Sequence, residues 1–334
     1  MTRGFFFILI ISVHVLFSSC GSSDQAGMPR SSGKTAEMIV ATNSDVRWNG
    51  LVGQAIRDFF SQDYEILPQP EPLFEMSHVP IPVMLENKMF RGHHNILIAE
   101  IDEKIQKAVM EAKKDMWASP QRVIRITAPS ETDLIDFFDE KKEVIYSILM
   151  DSEYDRLKRT FRGFRDHKVV GRVRDQFHFA MEIPSGFYIA THRPDFMWIR
   201  REAQHNSLGL MIYTYDFIDT IAFDVNRIVA FRNAITEEFI PGPTTGSYMA
   251  VADDFYPVLS KPVNLQGMYA IETRGLWKLI GDFMGGPFIN FTFVDERSNK
   301  VVTIDGYVYA PNAPKRDLLI QAESIIRSIR MVEQ

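Results

Sequence analysis

The sequence predicts an α+β fold: two lobes of mixed or antiparallel sheet, each packed by helices, behind an N-terminal lipid tether. Three observations carry this reading. Apolar residues recur at i, i+3 and i+4 in several separated stretches, the spacing of helices with one buried stripe. Elsewhere the apolar period falls to two, as in half-buried strands. The two patterns do not alternate strictly, which argues against a doubly wound parallel sheet.

The chain opens MTRGFFFILIISVHVLF. Arg3 supplies a positive start, and residues 4–17 are apolar apart from Ser12 and His14. A membrane-spanning helix needs roughly 20 such residues, so this run reads as a signal-peptide core over residues 1–19. Ser18, Ser19, Cys20 and Gly21 then resemble a bacterial lipobox, with Phe17 where leucine is usual. In that motif the cysteine thiol takes a diacylglycerol and the signal is cut just before it. Two acyl chains hold a protein stably where one does not, so Cys20 would anchor the chain to a membrane. Cys20 is the only cysteine, which leaves no disulfide, no free thiolate nucleophile and no cysteine-ligated metal. Residues 20–36 are rich in Ser and Gly without apolar periodicity and read as a flexible tether. Gly21 in place of aspartate, with no acidic run after it, points to the periplasmic face of the outer membrane.

The first lobe is expected over residues 37–170. Residues 37–43 read as a strand, and Ser44 or Asp45 caps a helix with Trp48, Leu51, Val52, Ala55, Ile56, Phe59 and Phe60 on one face. Five prolines in residues 67–82 predict extended chain. Residues 95–101 and 122–127 are strands. Ser130 to Asp133 fits a capping box. The seam that follows, from Leu134 to Phe164, makes one long helix or two with a break near Asp151–Ser152. Gly163 and Gly171 mark a loop.

The second lobe is expected over residues 171–334. Phe177, Phe179, Met181 and Ile183 alternate before a turn at residues 184–186, which predicts a hairpin. Strands follow at 196–200, 207–215, 248–252, 267–277, 287–294 and 300–310. Asp224 caps a helix bearing Ile228, Val229, Ala234 and Ile235. A last helix after Pro314 carries Leu318, Leu319, Ala322, Ile325, Ile326 and Ile329. Each half runs strand, helix, further strands, closing helix, without a repeat that would mark a duplication.

The formal charge is −6, or −7 once Arg3 leaves with the signal, which argues against nucleic acid as a partner. Hydrophobic content of 46% suits a packed globular protein. No nucleophile elbow, phosphate loop or metal-chelating histidine spacing occurs, and no cofactor is expected. Ser31 to Lys34 matches Ser-x-x-Lys only in letters, and residues 242–247 read as a turn. The carboxylate pairs Asp253–Asp254 and Asp295–Glu296 serve either turns or, if they face a cleft, acid–base chemistry. His93 and His94 are adjacent, and on a strand would point to opposite faces.

Residues 156–174 hold eight Lys or Arg against one acid. Arg162, Arg165, Arg172 and Arg174 are therefore candidates for an anion site, for lipid headgroups or an acidic partner; the alternative is a solvated helix end. Trp117, Trp198, Tyr256 and Trp277 either line a groove for glycan or peptide or belong to the core. With a three-residue loop at 184–186, His178 and His192 fall directly opposite across the hairpin. They are the candidate metal ligands, given a third group, and no other metal site is expected.

Cys20, WNGLVG at 48–53, LPQPEPLF at 67–74, KDMWASPQ at 114–121 and YAPNAPKR at 309–316 together carry a resemblance. They resemble an uncharacterised family of Bacteroidota lipoproteins, domain of unknown function 4837, over nearly the whole mature chain. The resemblance implies lipidation and an envelope location; it brings no activity, substrate or catalytic residue. The expected function is thus a lipid-anchored envelope binding or assembly factor, with an envelope protein or glycan as partner. The alternative is a hydrolase acting on envelope glycans or lipids through carboxylates in a cleft between the lobes.

Overall fold

The structure, a computed structural model, describes residues 27–254 and 256–332. The fold is α+β, with a mixed sheet of five strands and an antiparallel sheet of eight. β1 (Glu37–Thr42) is buried on both faces: Met38 and Val40 enter the main core, Ile39 and Ala41 a smaller one behind it. Two-sided burial is what parallel pairing requires. Accordingly β1 pairs in parallel with β2 (Glu75–Pro80) and β3 (Asn95–Ile101). β4 (Val109–Lys114) and β5 (Arg122–Ala128) complete this sheet, β5 parallel to β3 and β4 antiparallel at the edge. The sequence reading missed β4, whose side chains are nearly all exposed and so show no apolar alternation.

Ser44 caps α1 (Asp45–Asn49), and Gly50 separates it from α2 (Leu51–Phe60), whose Val52, Ile56, Phe59 and Phe60 are buried. The proline-rich stretch is extended only as far as Pro80. Pro82 sits in the first turn of α3 (Ile81–Glu86), where a missing N–H costs no intrahelical bond. α3 and α4 (Lys88–Arg91) cover the smaller core. α5 (Glu131–Gly163) starts at the Ser130 cap and runs unbroken for 33 residues, roughly 50 Å. Leu149, Met150, Glu153 and Leu157 carry its buried stripe straight through the suspected break.

The region after α5 departs from expectation. Gly171 lies not in a loop but inside α6 (His167–Phe177), which is capped by Asp166 and buries Val169, Val173 and Phe177. The anticipated lobe boundary between 170 and 171 thus falls within a helix. His178 ends that helix in the left-handed conformation, φ 57°. β6 (Phe179–Ala180) then pairs with Arg330–Met331, not with residues 187–193. The alternating residues are all buried, but alternation says nothing about which strand lies alongside.

β7 (Tyr188–Arg193) instead forms its hairpin with β8 (Phe196–Glu202), which continues into β9 (Ser207–Asp216). α7 (Val225–Phe239) follows the Asp224 cap. β10 (Tyr248–Val251) and β11 (Leu259–Leu265) share one edge of the long β12 (Met268–Ile280). β13 (Gly285–Asp295) and β14 (Lys300–Tyr309) close the order β10-β12-β13-β14-β9-β8-β7. α8 (Arg316–Ile326) and β15 (Arg330–Met331) end the described chain.

One face of this sheet, with Leu210, Ile212, Phe291 and Ile304, joins the main core, where α8 lies on β13 and β14 and packs against α5. α5 also packs on β3 and β5, so the two helices form a layer between the sheets. The other face buries Trp198, Met211, Tyr213 and Phe288. There Arg232 of α7, fully buried, pairs with fully buried Asp305 (Nε to Oδ2 2.8 Å) and lies 3.9 Å over the Phe288 ring.

The described part of the expected tether is bound down. The Ser119 N–H donates to Pro29 O (2.8 Å), the Ser32 N–H to Gly92 O (2.9 Å) and the His94 N–H to Ser32 O (2.9 Å). These bonds use backbone only, so side-chain composition does not announce them. Gly33 makes the strap possible: its φ is +114°, and a Cβ there would lie 2.4 Å from His93 Nε2. Gly33→Ala should cost about 1–3 kcal/mol and free the strap. The check is limited trypsin digestion, with faster cleavage expected after Arg30 and Lys34.

Candidate functional site

A polar cavity of about 620 Å³ opens where the end of α2, the loop of residues 61–74, the middle of α5, β11, β12 and α8 meet. Its floor is built from charged residues at core-facing positions. In β12, Glu272 and Arg274 follow buried Ala270 at alternate positions. In α8, Glu323 stands four residues after Leu319, and Arg327, which caps the helix, stands four after Glu323.

These four side chains close into a ring. Arg274 donates from Nε to Glu272 Oε1 (2.7 Å) and from Nη2 to Glu323 Oε2 (2.8 Å). Arg327 donates from Nε to Glu323 Oε1 (2.7 Å) and from Nη2 to Glu272 Oε2 (2.9 Å). Arg274 Nη1 also donates to the Tyr64 hydroxyl (3.1 Å), tying the first half of the chain into the ring. Burial alone would raise the Glu323 carboxyl, but Arg274 and Arg327 overcome it and hold the group at about 2. Burial pushes the Tyr64 hydroxyl up to about 12, so it remains a proton donor. Two guanidiniums against two carboxylates leave the floor neutral.

The rim differs. Asp63, Glu65, Glu143 and Asp151 are exposed around the opening, and none of them forms an ion pair among the described residues. Partial burial raises the Asp151 carboxyl, with Arg327 offsetting only part of the effect. Lys261 is the one further cation of the lining, 3.6 Å from Glu272. Six carboxylates therefore face three cations, and the excess is concentrated at the mouth. Such a site attracts positive charge. It is poorly arranged for acid–base catalysis, because both deep carboxylates are locked between guanidiniums.

The residues singled out in the sequence lie elsewhere. Arg162 and Arg165 converge with Arg330 on the fully buried Glu182, at 3.0, 3.4 and 3.0 Å. Arg174 pairs with its neighbour Asp175, and Arg172 is exposed. The four arginines thus form no single anion site. His178 caps α6, while His192 is paired in β7 with Met197, so the proposed histidine pair does not form. No group of three or more His, Cys, Asp or Glu suited to a metal occurs among the described residues. His93 and His94 precede β3 and stack at 4.6 Å, with His94 Nε2 2.8 Å from Glu153 Oε1. Trp198 and Trp277 are buried along a smaller pocket, their indole N–H groups donating to Tyr307 Oη and Val308 O. Trp117 packs against the smaller core and Tyr256 is exposed. Asp254 is held by Lys278, and Asp295 by Arg297 and Ser298 within its turn. Cys20 and the apolar run before it lie outside the described residues. Among the described residues no helix is long and apolar enough to cross a membrane.

Residues 166–328 match the family model of domain of unknown function DUF4837. Residues 31–162 match a second one, domain of unknown function DUF8532. The two matches meet at the junction of α5 and α6. Of the stretches that carried the resemblance, only residues 309–316 fall within the DUF4837 match; those at 48–53, 67–74 and 114–121 fall within the other. No curated protein matches the chain. Among solved structures, similarity is found to the Saccharomyces cerevisiae Ran-binding protein Mog1p, at 10% identity and TM-score 0.31, covering 47% of this chain and 91% of that one. A Mog1 E65A mutant matches at 9% and 0.30, covering 47% and 92%. LpqN, involved in cell envelope biogenesis of Mycobacterium tuberculosis, matches at 12% and 0.28, covering 46% and 83%.

Proposed function

We propose that the protein is a lipid-anchored binding factor of the cell envelope, held through Cys20 at the periplasmic face of the outer membrane. Its central cavity receives a basic segment of a partner protein. The observation that carries the reading is the rim of four carboxylates that form no ion pair among the described residues, above a charge-neutral floor. A lysine or arginine side chain entering the cavity meets those carboxylates first and the tyrosines Tyr64, Tyr146 and Tyr154 deeper in. The lipobox-like residues before Gly21 support the anchor.

Calorimetry with tetralysine tests the cavity. Binding should be salt-sensitive and weaken about tenfold in a Glu143→Gln, Asp151→Asn double variant. No binding of tetralysine would overturn the reading. Release of reducing sugar from peptidoglycan would favour the hydrolase instead.

A further inference from the structure

We infer that the end of the molecule from which the N-terminal strap emerges lies flat against anionic phospholipid headgroups, an inference that rests on the lipidation of Cys20. The first argument is reach. Gly27 lies seven steps along the chain from Cys20, with six residues between them, and seven steps span at most about 25 Å. No slack is gained beyond that point, because Pro29 to Ser32 are fastened to residues 92–94 and 119. A bilayer holding Cys20 is therefore close to this end of the protein.

The second argument is what the fold places there. β1, β3 and β5 run parallel, so their first residues share one edge, with Asn95 opposite Arg122. Antiparallel β4 brings its last residue, Lys114, to the same edge, opposite Arg122. α5 reaches this edge at Glu153, whose carboxylate accepts from Asn95 Nδ2 (2.7 Å) and the Ala36 N–H (3.4 Å). Arg156 then donates to the strap's Thr35 hydroxyl (3.3 Å), and the remaining turns of α5 run on for roughly 10 Å.

The third argument is charge. Arg30, Lys114 and Arg159 are exposed and make no ion pair among the described residues; Lys34 is exposed beside them on the strap. Most acids at this end are already engaged, Asp155 alone on α5 from Glu153 onward being exposed without an ion pair among the described residues. Glu37 accepts from the Lys34 N–H, Glu153 binds Arg156, and Asp115 accepts from the Gln121 N–H. A chain of net −7 after loss of the signal thus turns a cationic end toward its own anchor. Each cation near an anionic bilayer multiplies affinity by about fivefold. The anchor would hold the protein, and these cations would orient it.

The test reconstitutes the full lipidated chain into vesicles of phosphatidylcholine alone and of an equal mixture with phosphatidylglycerol. Amide hydrogen exchange of residues 112–116 and 156–163 is compared between them. Exchange should slow about tenfold in the mixed vesicles only, and the slowing should vanish in salt and in an Arg30→Gln, Lys114→Gln, Arg159→Gln variant. Equal exchange in the two vesicles overturns the docking. Failure of the chain to enter either vesicle overturns the anchor, and the docking with it.

Discussion

Glu323→Ala should lower the unfolding free energy by about 3–5 kcal/mol, read as a fall in the urea midpoint without a change in slope. Glu323 is fully buried and is the one carboxylate that Tyr64, Arg274 and Arg327 all approach. Removing it leaves two guanidiniums sharing Glu272 in the cavity floor. Glu323→Gln keeps the shape and loses the charge, so it should fall between the variant and the parent. The pH dependence has a definite sign. The folded pKa of about 2 lies below the ordinary 4.5, so this contribution is complete above about 4.5 and disappears as the pH falls toward 2. The alanine variant should lack that part of the acid sensitivity. A loss under about 1 kcal/mol would mean that the ring does not close the cavity wall as described.

Arg232→Met should be comparably damaging, again about 3–5 kcal/mol, for the mirror-image reason: it strands the fully buried Asp305 carboxylate. Here the pH response is reversed. Burial raises the Asp305 pKa in the folded protein, with Arg232 offsetting part of the rise. An acid whose folded pKa lies above its unfolded one gains stability as pH falls through it. Without Arg232 the rise should grow, so the variant should recover part of its loss in mildly acidic buffer. An Arg232→Met, Asp305→Leu double variant should return to within about 1–2 kcal/mol of the parent, because an apolar pair of similar volume escapes the desolvation penalty. Chemical denaturation at two pH values checks both statements. A double variant as unstable as the single one would show that the pair holds α7 to the sheet by more than charge.

Where the sequence reading held, a local signal sufficed. The Ser44, Ser130 and Asp224 caps, most of the stripes of α2, α5 and α8 (Leu51, Val144 and Phe164 are exposed), and the long strands β12 to β14 follow from residues near one another in the chain. Where it failed, the missing information was a distant partner. Residues 177–183 alternate as a strand should, yet α6 ends at Phe177 and the next residues pair with the C-terminus. The basic stretch was visible, but that Glu182 would absorb two of its arginines was not. The cavity had one readable trace: Glu323 and Arg327 lie on the apolar stripe of α8, and Glu272 and Arg274 occupy core-facing positions of β12. A charge at a core position is the informative exception to burial patterns, and these four were passed over.

What the sequence by itself determined is the α+β class, the helix starts at Ser44, Ser130 and Asp224, and a single cysteine set where a lipobox would place it. Those depend on spacing and short-range chemistry, and both are written along the chain. Only the tertiary structure decided that the strap is fastened, that α5 and α8 form the layer between two sheets, and that an acid-rimmed cavity opens beside them. The ring of Glu272, Arg274, Glu323 and Arg327 joins residues up to 55 positions apart, and Tyr64 adds a contact across 210. No periodicity encodes such pairings. They exist because charges carried into a core must find opposite charges there, and which ones they find is set by the packing of the whole chain.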